Sequence, residues 1–469
     1  MTEAEKSAFL DELREKIGGQ SAPQTALDPI NQPMIRHWCD AMEDQDPVYT
    51  DPEFAAKSVH GQIVAPPTML MTWTMPGLAP RPAGGGGNSE GNVLGALDDA
   101  GFTSVVATGT EHEYLRYLRL GDLLTGVQRL ESVSEEKRTA LGVGHFVTTV
   151  TEYRNQEDEV VGRMKFVLLK FKPGTGRTAP TPDENAAPEP RPRRPRPGIS
   201  QDTRFFWEGL EQGELRIQQC TACSALHHPP VVRCPKCGSY ELGHSVAGGK
   251  GTLYSFVEPC HPRMPFMDYP YIVGLVELEE GTRLITNIVE VDPEQVEIGM
   301  PLELAIQKPD RELALPFFRP LRPARRTTTL RFEEVEEGEA LPACSIPITR
   351  TSIVATAIAS RDYQDVHHDP ELAAQRGSPD IFMNILTTTG LCGRYASDWA
   401  GPEALIRGLK IRLGVPNYPH DTMLMSAKVL SKRSEAGKGI VELGLRGRNR
   451  IGDHVTGSME IELPSGATS

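Results

Sequence analysis

The chain has 469 residues, more than one ordinary domain holds and about what three need. Its formal charge of −14 excludes a general nucleic-acid binder, which requires a basic footprint, and its 39% hydrophobic content is enough for real cores. Eight cysteines are too few for a disulfide scaffold, and no apolar run approaches the roughly 18 to 20 residues that span a bilayer, so a cytoplasmic protein is expected, with neither nucleic acid nor membrane as partner.

The chain opens on MTEAEKSAFLDELREKIGG, charged and helical in pattern, without the apolar core of a signal peptide. EDQDPVYTDPE, around Asp44, Asp46 and Tyr49, then leads to GQIVAPPTML and a short apolar run at 68–75 that Pro76-Gly77 ends. Pro80, Pro82 and the glycines at 84–87 follow, so only a stub of helix with a loop beside it is expected here. HFVTTVTEYR and VVGRMKFVLLKF read as long strands. Residues 173–197 are proline-rich without apolar periodicity and read as an extended linker.

An amphipathic segment, TRFFWEGLEQGEL, precedes Cys220, Cys223, Cys234 and Cys237. Their spacing, Cys-x2-Cys-x10-Cys-x2-Cys, gives two knuckles that can close four thiolates around one ion. A closed tetrahedral thiolate set suits a structural Zn2+ rather than a catalytic metal. His227 and His228 lie in the same loop, but four cysteines already complete the shell. Short strands follow in GTLYSFVEP, YIVGLVELEE and RLITNIVEV, as in a small Greek-key barrel. A basic, proline-punctuated stretch at 319–329 marks the next break.

The last block repeats the plan of the first: a segment ending in Asp-Pro, an apolar helix candidate, then alternating strands. Here SRDYQDVHHDPELAAQ sets Asp362 and His367 five residues apart, with His368 and Asp369 beside them. A carboxylate and an imidazole on one extended turn can be aimed at one water. A polar turn that merely caps a helix is the other reading. SPDIFMNILTTTGLCGRY supplies a helix start whose backbone N–H groups could hold an oxyanion, with the Met383 amide as candidate donor. The proline-free run at 380–397 allows a helix of about four to five turns.

Three resemblances follow from these motifs. The ribbon, with GGKGTLYSFVEP, PYIVGLVELEEGTRLITNIV and LPFFRP, resembles the zinc-ribbon/OB accessory domain that accompanies thiolase-like acyl-CoA enzymes. That resemblance implies docking of a thiolase-like aldolase. Asp362, Val366 and His367 resemble the Asp-x-Asn-Pro-aliphatic-His motif of MaoC-like (R)-specific enoyl-CoA hydratases, with Gln364 and Asp365 in place of Asn-Pro. It implies a hot-dog fold and a catalytic Asp362–His367 pair. The run RDYQDVHHD with DIFMNILTTTGL is more similar to the catalytic subunit of bacterial steroid side-chain hydratases, and the earlier blocks to its companion subunit. These imply a steroid-type acyl-CoA thioester as substrate.

The expected architecture is therefore α+β and multidomain, two hot-dog folds flanking an all-β OB barrel with a zinc ribbon. Its boundaries are a degenerate hot-dog half at 1–173, a linker at 174–198, a helix and ribbon at 199–246, a barrel at 247–320 and a catalytic half at 330–469. In the first block Tyr49 stands where the histidine belongs, and a tyrosine of ordinary pKa is no base near pH 7. Pro66 and Pro67 fall where an amide donor is needed and have no N–H to give. The expected function is hydration of a bulky enoyl-CoA by a homodimer. A hot-dog thioesterase and a non-catalytic scaffold are the alternatives. Arg376, Arg394 and Lys410 are candidates to reach the phosphates of CoA.

Overall fold

The alternating segments of the two outer blocks become long antiparallel strands: Val143–Arg154 and Val160–Lys172 in the first, Asp421–Glu435 and Lys438–Asn449 in the last. In this computed structural model the described residues run from 3 to 466, leaving out 79–88, 177–191, 268, 292, 294–295, 311, 322–323 and 436. The chain divides into two units, residues 1–180 with 324–469, and residues 181–323.

The outer blocks are not separate domains, because they share an 11-stranded sheet. Its centre is Ser104–Tyr114 paired antiparallel with Leu405–Leu413, in a register that sets Thr110 opposite Ile411. From that seam each half repeats one order outward. Val160–Lys172, Val143–Arg154, Thr125–Val133 and Gln24–Thr25 lie on one side. Gly452–Leu463, Lys438–Asn449, Asp421–Glu435 and Ala340–Ile348 lie on the other. The repeat read from the Asp-Pro segments is thus a repeat of topology, and side-by-side pairing occurs within one chain.

The halves differ in their helices. In the C-terminal half Ile385–Ala400 forms one 16-residue helix, buried at every position except Arg394 and Asp398. Its three threonines and its serine bond back to helix carbonyls or to a buried side chain, or are simply enclosed, so the helix can lie inside the core. In the N-terminal half the corresponding run yields two 3₁₀ turns, Pro67–Met69 and Thr72–Thr74. Pro76-Gly77 follows them, and the expected loop at Pro80, Pro82 and 84–87 lies outside the described residues. A helix at Ser89–Asp99, which the composition did not suggest, packs with Glu3–Glu15 over the outer strands through Leu13, Val93, Leu97, Leu130 and Val147.

Glycines let the halves approach. A Cβ on Gly390 would stand 2.8 Å from Trp38 Cζ2, and one on Gly393 would stand 2.8 Å from Thr68 Cγ2. Trp38 and Met42 belong to the helix Gln32–Met42, which packs on its counterpart in the other half, Arg350–Ala359.

In the second unit the amphipathic segment forms Arg204–Glu211, burying Phe206 and Leu210. The cysteine region forms a three-stranded sheet in the order Leu226–His227, Arg216–Cys220, Leu242–Val246. Five strands then close a barrel, Lys250–Val257, Ile272–Leu278, Arg283–Ile288, Leu313–Pro320 and Pro301–Asp310. The closing contact is parallel, with Ile288 opposite Phe318. Most of the presumed linker lies outside the described residues, but its end is not simply solvated: Arg193 and Arg196 pair with Glu312, and Arg194 lies over the Phe317 ring.

Candidate active site

Three turns of chain build the site in the C-terminal half. The helix Arg350–Ala359 starts on a Thr349–Ser352 capping box and gives way at Ser360 to Arg361, whose φ of 59° reverses the chain. Few non-glycine residues adopt that conformation, and such strain gathers at functional sites. Asp362 follows, and the 3₁₀ turn Asp365–His367 folds His367 back toward it. Both side chains are buried, and His367 Nε2 lies 3.5 Å from Asp362 Oδ2.

The histidine tautomer follows from its partner. His367 Nδ1 lies 2.7 Å from the Phe382 carbonyl oxygen, which can only accept, so Nδ1 carries the hydrogen. The Nε2 lone pair is then presented on the Asp362 side. The Phe382 ring meets the imidazole edge-on at 5.1 Å and closes another side. His368 is exposed and turned to the Tyr363 carbonyl, and Asp369 caps Pro370–Gln375 through the Glu371 and Leu372 amides, so both shape the turn.

The structure corrects the oxyanion donor. The Met383 amide donates to the Asn417 carbonyl at 3.1 Å and is not free. Asn417 is buried and accepts at Oδ1 from Asn449, which fixes Met383 two residues ahead of the helix. The helix starts at Ile385, with Asn384 as N-cap accepting from the Thr387 amide. Among the described residues the amides of Asn384, Ile385 and Leu386 have no hydrogen-bond acceptor, and they lie at the positive end of the helix dipole. Asn384 was missed in the sequence, although an Asn before an unbroken apolar run is a helix-start signal. Its Nδ2 donates to Ser360 Oγ at 3.0 Å and to Asp362 Oδ2 at 3.1 Å. Deeper in, His454 bridges the Val415 carbonyl and Thr388 Oγ1 at 2.8 Å each, and burial pushes its pKa down to about 4, so it stays neutral.

The equivalent turn in the N-terminal half holds different chemistry. Tyr49 is buried, and burial raises its hydroxyl well above the ordinary value, the opposite of what a base requires. Asp44 and Asp46 face Arg325, whose Nη2 lies 2.7 Å from Asp46 Oδ2, and Asp398 joins the cluster at 3.7 Å. Arg325 comes from the stretch read as a basic break, so that break ends in a buried ion-pair cluster. Burial pushes Asp46 up to about 7 and Asp398 to about 6, against the pull of nearby arginines. Pro67 opens the 3₁₀ turn where an amide would be needed. Arg394, a candidate CoA contact, is also committed, to the Met42 carbonyl, Glu43 and Asp398. Arg376 pairs with Asp365 and Lys410 with Glu111.

In the second unit the Sγ atoms of Cys220, Cys223, Cys234 and Cys237 lie within 4.8 Å of one another. Cys220–Cys237 and Cys223–Cys234 are separated by 3.5 and 3.6 Å. A tetrahedron with Zn–S bonds of about 2.3 Å needs sulfurs roughly 3.8 Å apart, so this set fits zinc. Each knuckle closes alike, the Ser224 amide on the Cys220 carbonyl and the Gly238 amide on the Cys234 carbonyl. His227 and His228 are outside the group.

The chain matches three families: "FAS1-like, dehydratase domain region" at 16–164, "ChsH2, rubredoxin-like zinc ribbon domain" at 207–243, and "ChsH2, C-terminal OB-fold domain" at 245–307. It is 44% identical over 305 residues to a probable enoyl-CoA hydratase alpha subunit of Thermomonospora curvata, covering 64% of this chain and 92% of the relative. This chain belongs to the MaoC-like enoyl-CoA hydratases. It is also similar to both subunits of a Mycobacterium tuberculosis 3-oxo-4,17-pregnadiene-20-carboxyl-CoA hydratase. The alpha subunit is 40% identical over 303 residues, 64% of this chain and 93% of that one. The beta subunit is 48% identical over 126 residues, 27% of this chain and 95% of that one. A solved MaoC-like dehydratase covers 97% of the hydratase, and 100% of itself, at 16% identity and a TM-score of 0.53, a likeness of fold. The protein is thus a hydratase with two hot-dog halves, an OB barrel and a ribbon built for structural zinc. No helix among its described residues is long and apolar enough to cross a membrane.

Proposed function

We propose that Asp362 and His367 are the catalytic pair and that they add water across the α,β double bond of a steroid-type enoyl-CoA. The observation that carries this is the pinned imidazole. With Nδ1–H committed to the Phe382 carbonyl, Nε2 is the atom free to accept a proton, beside a buried carboxylate. At 3.5 Å the two groups are too far apart for a good direct hydrogen bond and can share one water. As the water oxygen bonds to Cβ, its proton passes to the pair, and the C=C electrons move toward the thioester oxygen. In this reading the open amides of Asn384, Ile385 and Leu386 hold that enolate oxygen, after which Cα takes up the proton that the pair received. The product carries OH at Cβ and H at Cα, and the pair is restored.

A bulky acyl group is supported by the relative named for a pregnadiene-carboxyl-CoA and by the N-terminal half, where two 3₁₀ turns stand in place of a long helix. Zinc holds the ribbon and leaves no vacant position for substrate. The ribbon and barrel dock a thiolase-like aldolase that cleaves the hydrated product. Exposed Val232, Tyr240 and Ile285 give them apolar contact surface. The alpha- and beta-like matches fit together within the 469 residues, and a homodimer with two working sites is the expected assembly. Light scattering that finds only monomer would exclude that assembly.

The test is to mix purified protein with polycyclic enoyl-CoA thioesters and with crotonyl-CoA, following enone absorbance and free thiol together. Enone loss without thiol, faster for polycyclic substrates, is expected. Thiol release would instead mark a thioesterase, and a preference for crotonyl-CoA would remove the steroid assignment. Co-purification with a neighbouring thiolase-like protein checks the docking role.

A further inference from the structure

The Asn384 side chain joins two parts of the site that the chemistry needs in fixed relation. It is 3% exposed, and both ends of its carboxamide are used. Oδ1 accepts from the Thr387 amide at 2.7 Å, capping the central helix. Nδ2 donates to Asp362 Oδ2 and to Ser360 Oγ. The amide orientation is determined by these partners. Ser360 donates its own hydrogen to the Ala357 carbonyl at 3.1 Å, so Ser360 Oγ receives the Asn384 N–H. An N–H faces Oδ1, and two acceptors face Nδ2.

This geometry has a kinetic consequence. Asp362 Oδ2 is the oxygen nearest His367 Nε2, and it is also the oxygen held by Asn384. A donor on that oxygen restrains the rotation of the carboxylate that faces the imidazole. The same residue caps the first turn of the central helix, whose first amides have no acceptor among the described residues. We infer that Asn384 is a positioning residue that locks the Asp362 carboxylate to the start of the central helix, so that proton-handling and oxyanion-holding groups keep one spacing. The inference rests on the assignment of Asp362 and His367 as the catalytic pair. Of the charged and titratable groups on the same turn, the Arg361 guanidinium lies against Gly77, Asp365 is paired with Arg376, His368 meets the Tyr363 carbonyl, and Asp369 caps Pro370–Gln375.

Two substitutions separate positioning from capping, because Asp and Ser both serve as N-caps. Asn384→Ser keeps the cap acceptor and removes the Nδ2 donor without adding charge. Asn384→Asp keeps the cap and sets a second carboxylate against Asp362. On the enoyl-CoA turned over fastest in the substrate series, Asn384→Ser should lower kcat by about 10- to 100-fold, as loss of an orienting partner does, with KM changed less than about twofold. Asn384→Asp should also lower kcat and move the acid limb of the pH–rate profile upward, because paired carboxylates hold a proton more tightly. The melting temperature of Asn384→Ser should stay close to that of the parent, while Asn384→Asp should melt lower where both carboxylates are charged. If both variants keep parental kcat and the parental profile, Asn384 is only a cap and the inference fails. Asp362→Asn and His367→Ala in the same assay separate the cases. If these stay active, the catalytic pair is wrong. If these fail while the Asn384 variants work, only the positioning role is wrong.

Discussion

Gly390→Ala tests how the two halves meet. The new methyl would stand 2.8 Å from Trp38 Cζ2 and 2.9 and 3.0 Å from Met42 Cε and Sδ. Trp38 and Met42 are each 1% exposed, so neither has open space to yield into. Overpacking of this kind costs about 1 to 3 kcal/mol. It opposes the gain of about 1 kcal/mol that alanine brings over glycine inside a helix. Gly95→Ala supplies the control, since that glycine lies in the helix Ser89–Asp99 and a Cβ there meets nothing within 4 Å. The propensity gain is common to both substitutions, so their difference isolates the packing cost. At about 2 °C per kcal/mol for a unit of this size, calorimetry should place Gly390→Ala roughly 2 to 6 °C below Gly95→Ala. Hydration should weaken as well, because Gly390 belongs to the helix whose cap, Asn384, is bonded to Asp362. Equal melting temperatures for the two variants would refute the close approach of Trp38 and Met42.

Tyr49→Phe should leave turnover nearly intact, because burial keeps the Tyr49 hydroxyl protonated; damage equal to that of His367→Ala would reverse the choice of active half. One zinc per chain is expected by elemental analysis, and Cys234→Ser should release it and unfold the ribbon while hydration persists. Iron in its place, or no metal, would contradict the thiolate-zinc reading. Stability should also depend on the buried cluster around Arg325. Asp46 titrates higher in the folded chain than in the unfolded one, so its contribution is fully present below about pH 4 and is lost as pH rises toward and through about 7. Asp46→Asn should flatten that part of the melting profile between about pH 4 and 7, and an unchanged slope would show that the group does not titrate there.

The fold was legible wherever one local rule governed it. Four cysteines at fixed spacing announced the ribbon, and strict alternation located strands such as Val143–Arg154 and Lys438–Asn449. Tyr49 in the position that His367 holds in the other half could be read because the two Asp-Pro segments can be laid side by side. What depends on contacts between distant segments was not legible. Arg325 looked like one more linker cation until the sheet brought 324–469 beside Asp44 and Asp46. Met383 lies at the helix start as expected, but its amide is taken by Asn417, 34 residues further along the chain in a loop with no helical or strand pattern. Asn384 offered a capping signal in the sequence, while its donation to Asp362 required both turns to be in place.

The most direct test of the central claim is the hydration rate of Asp362→Asn and His367→Ala, followed by enone absorbance on the preferred enoyl-CoA. Each substitution removes a proton-handling group from a buried pair, and each should lower kcat by about 10²- to 10⁴-fold with the fold intact by circular dichroism. Parental turnover in either folded variant would contradict the account.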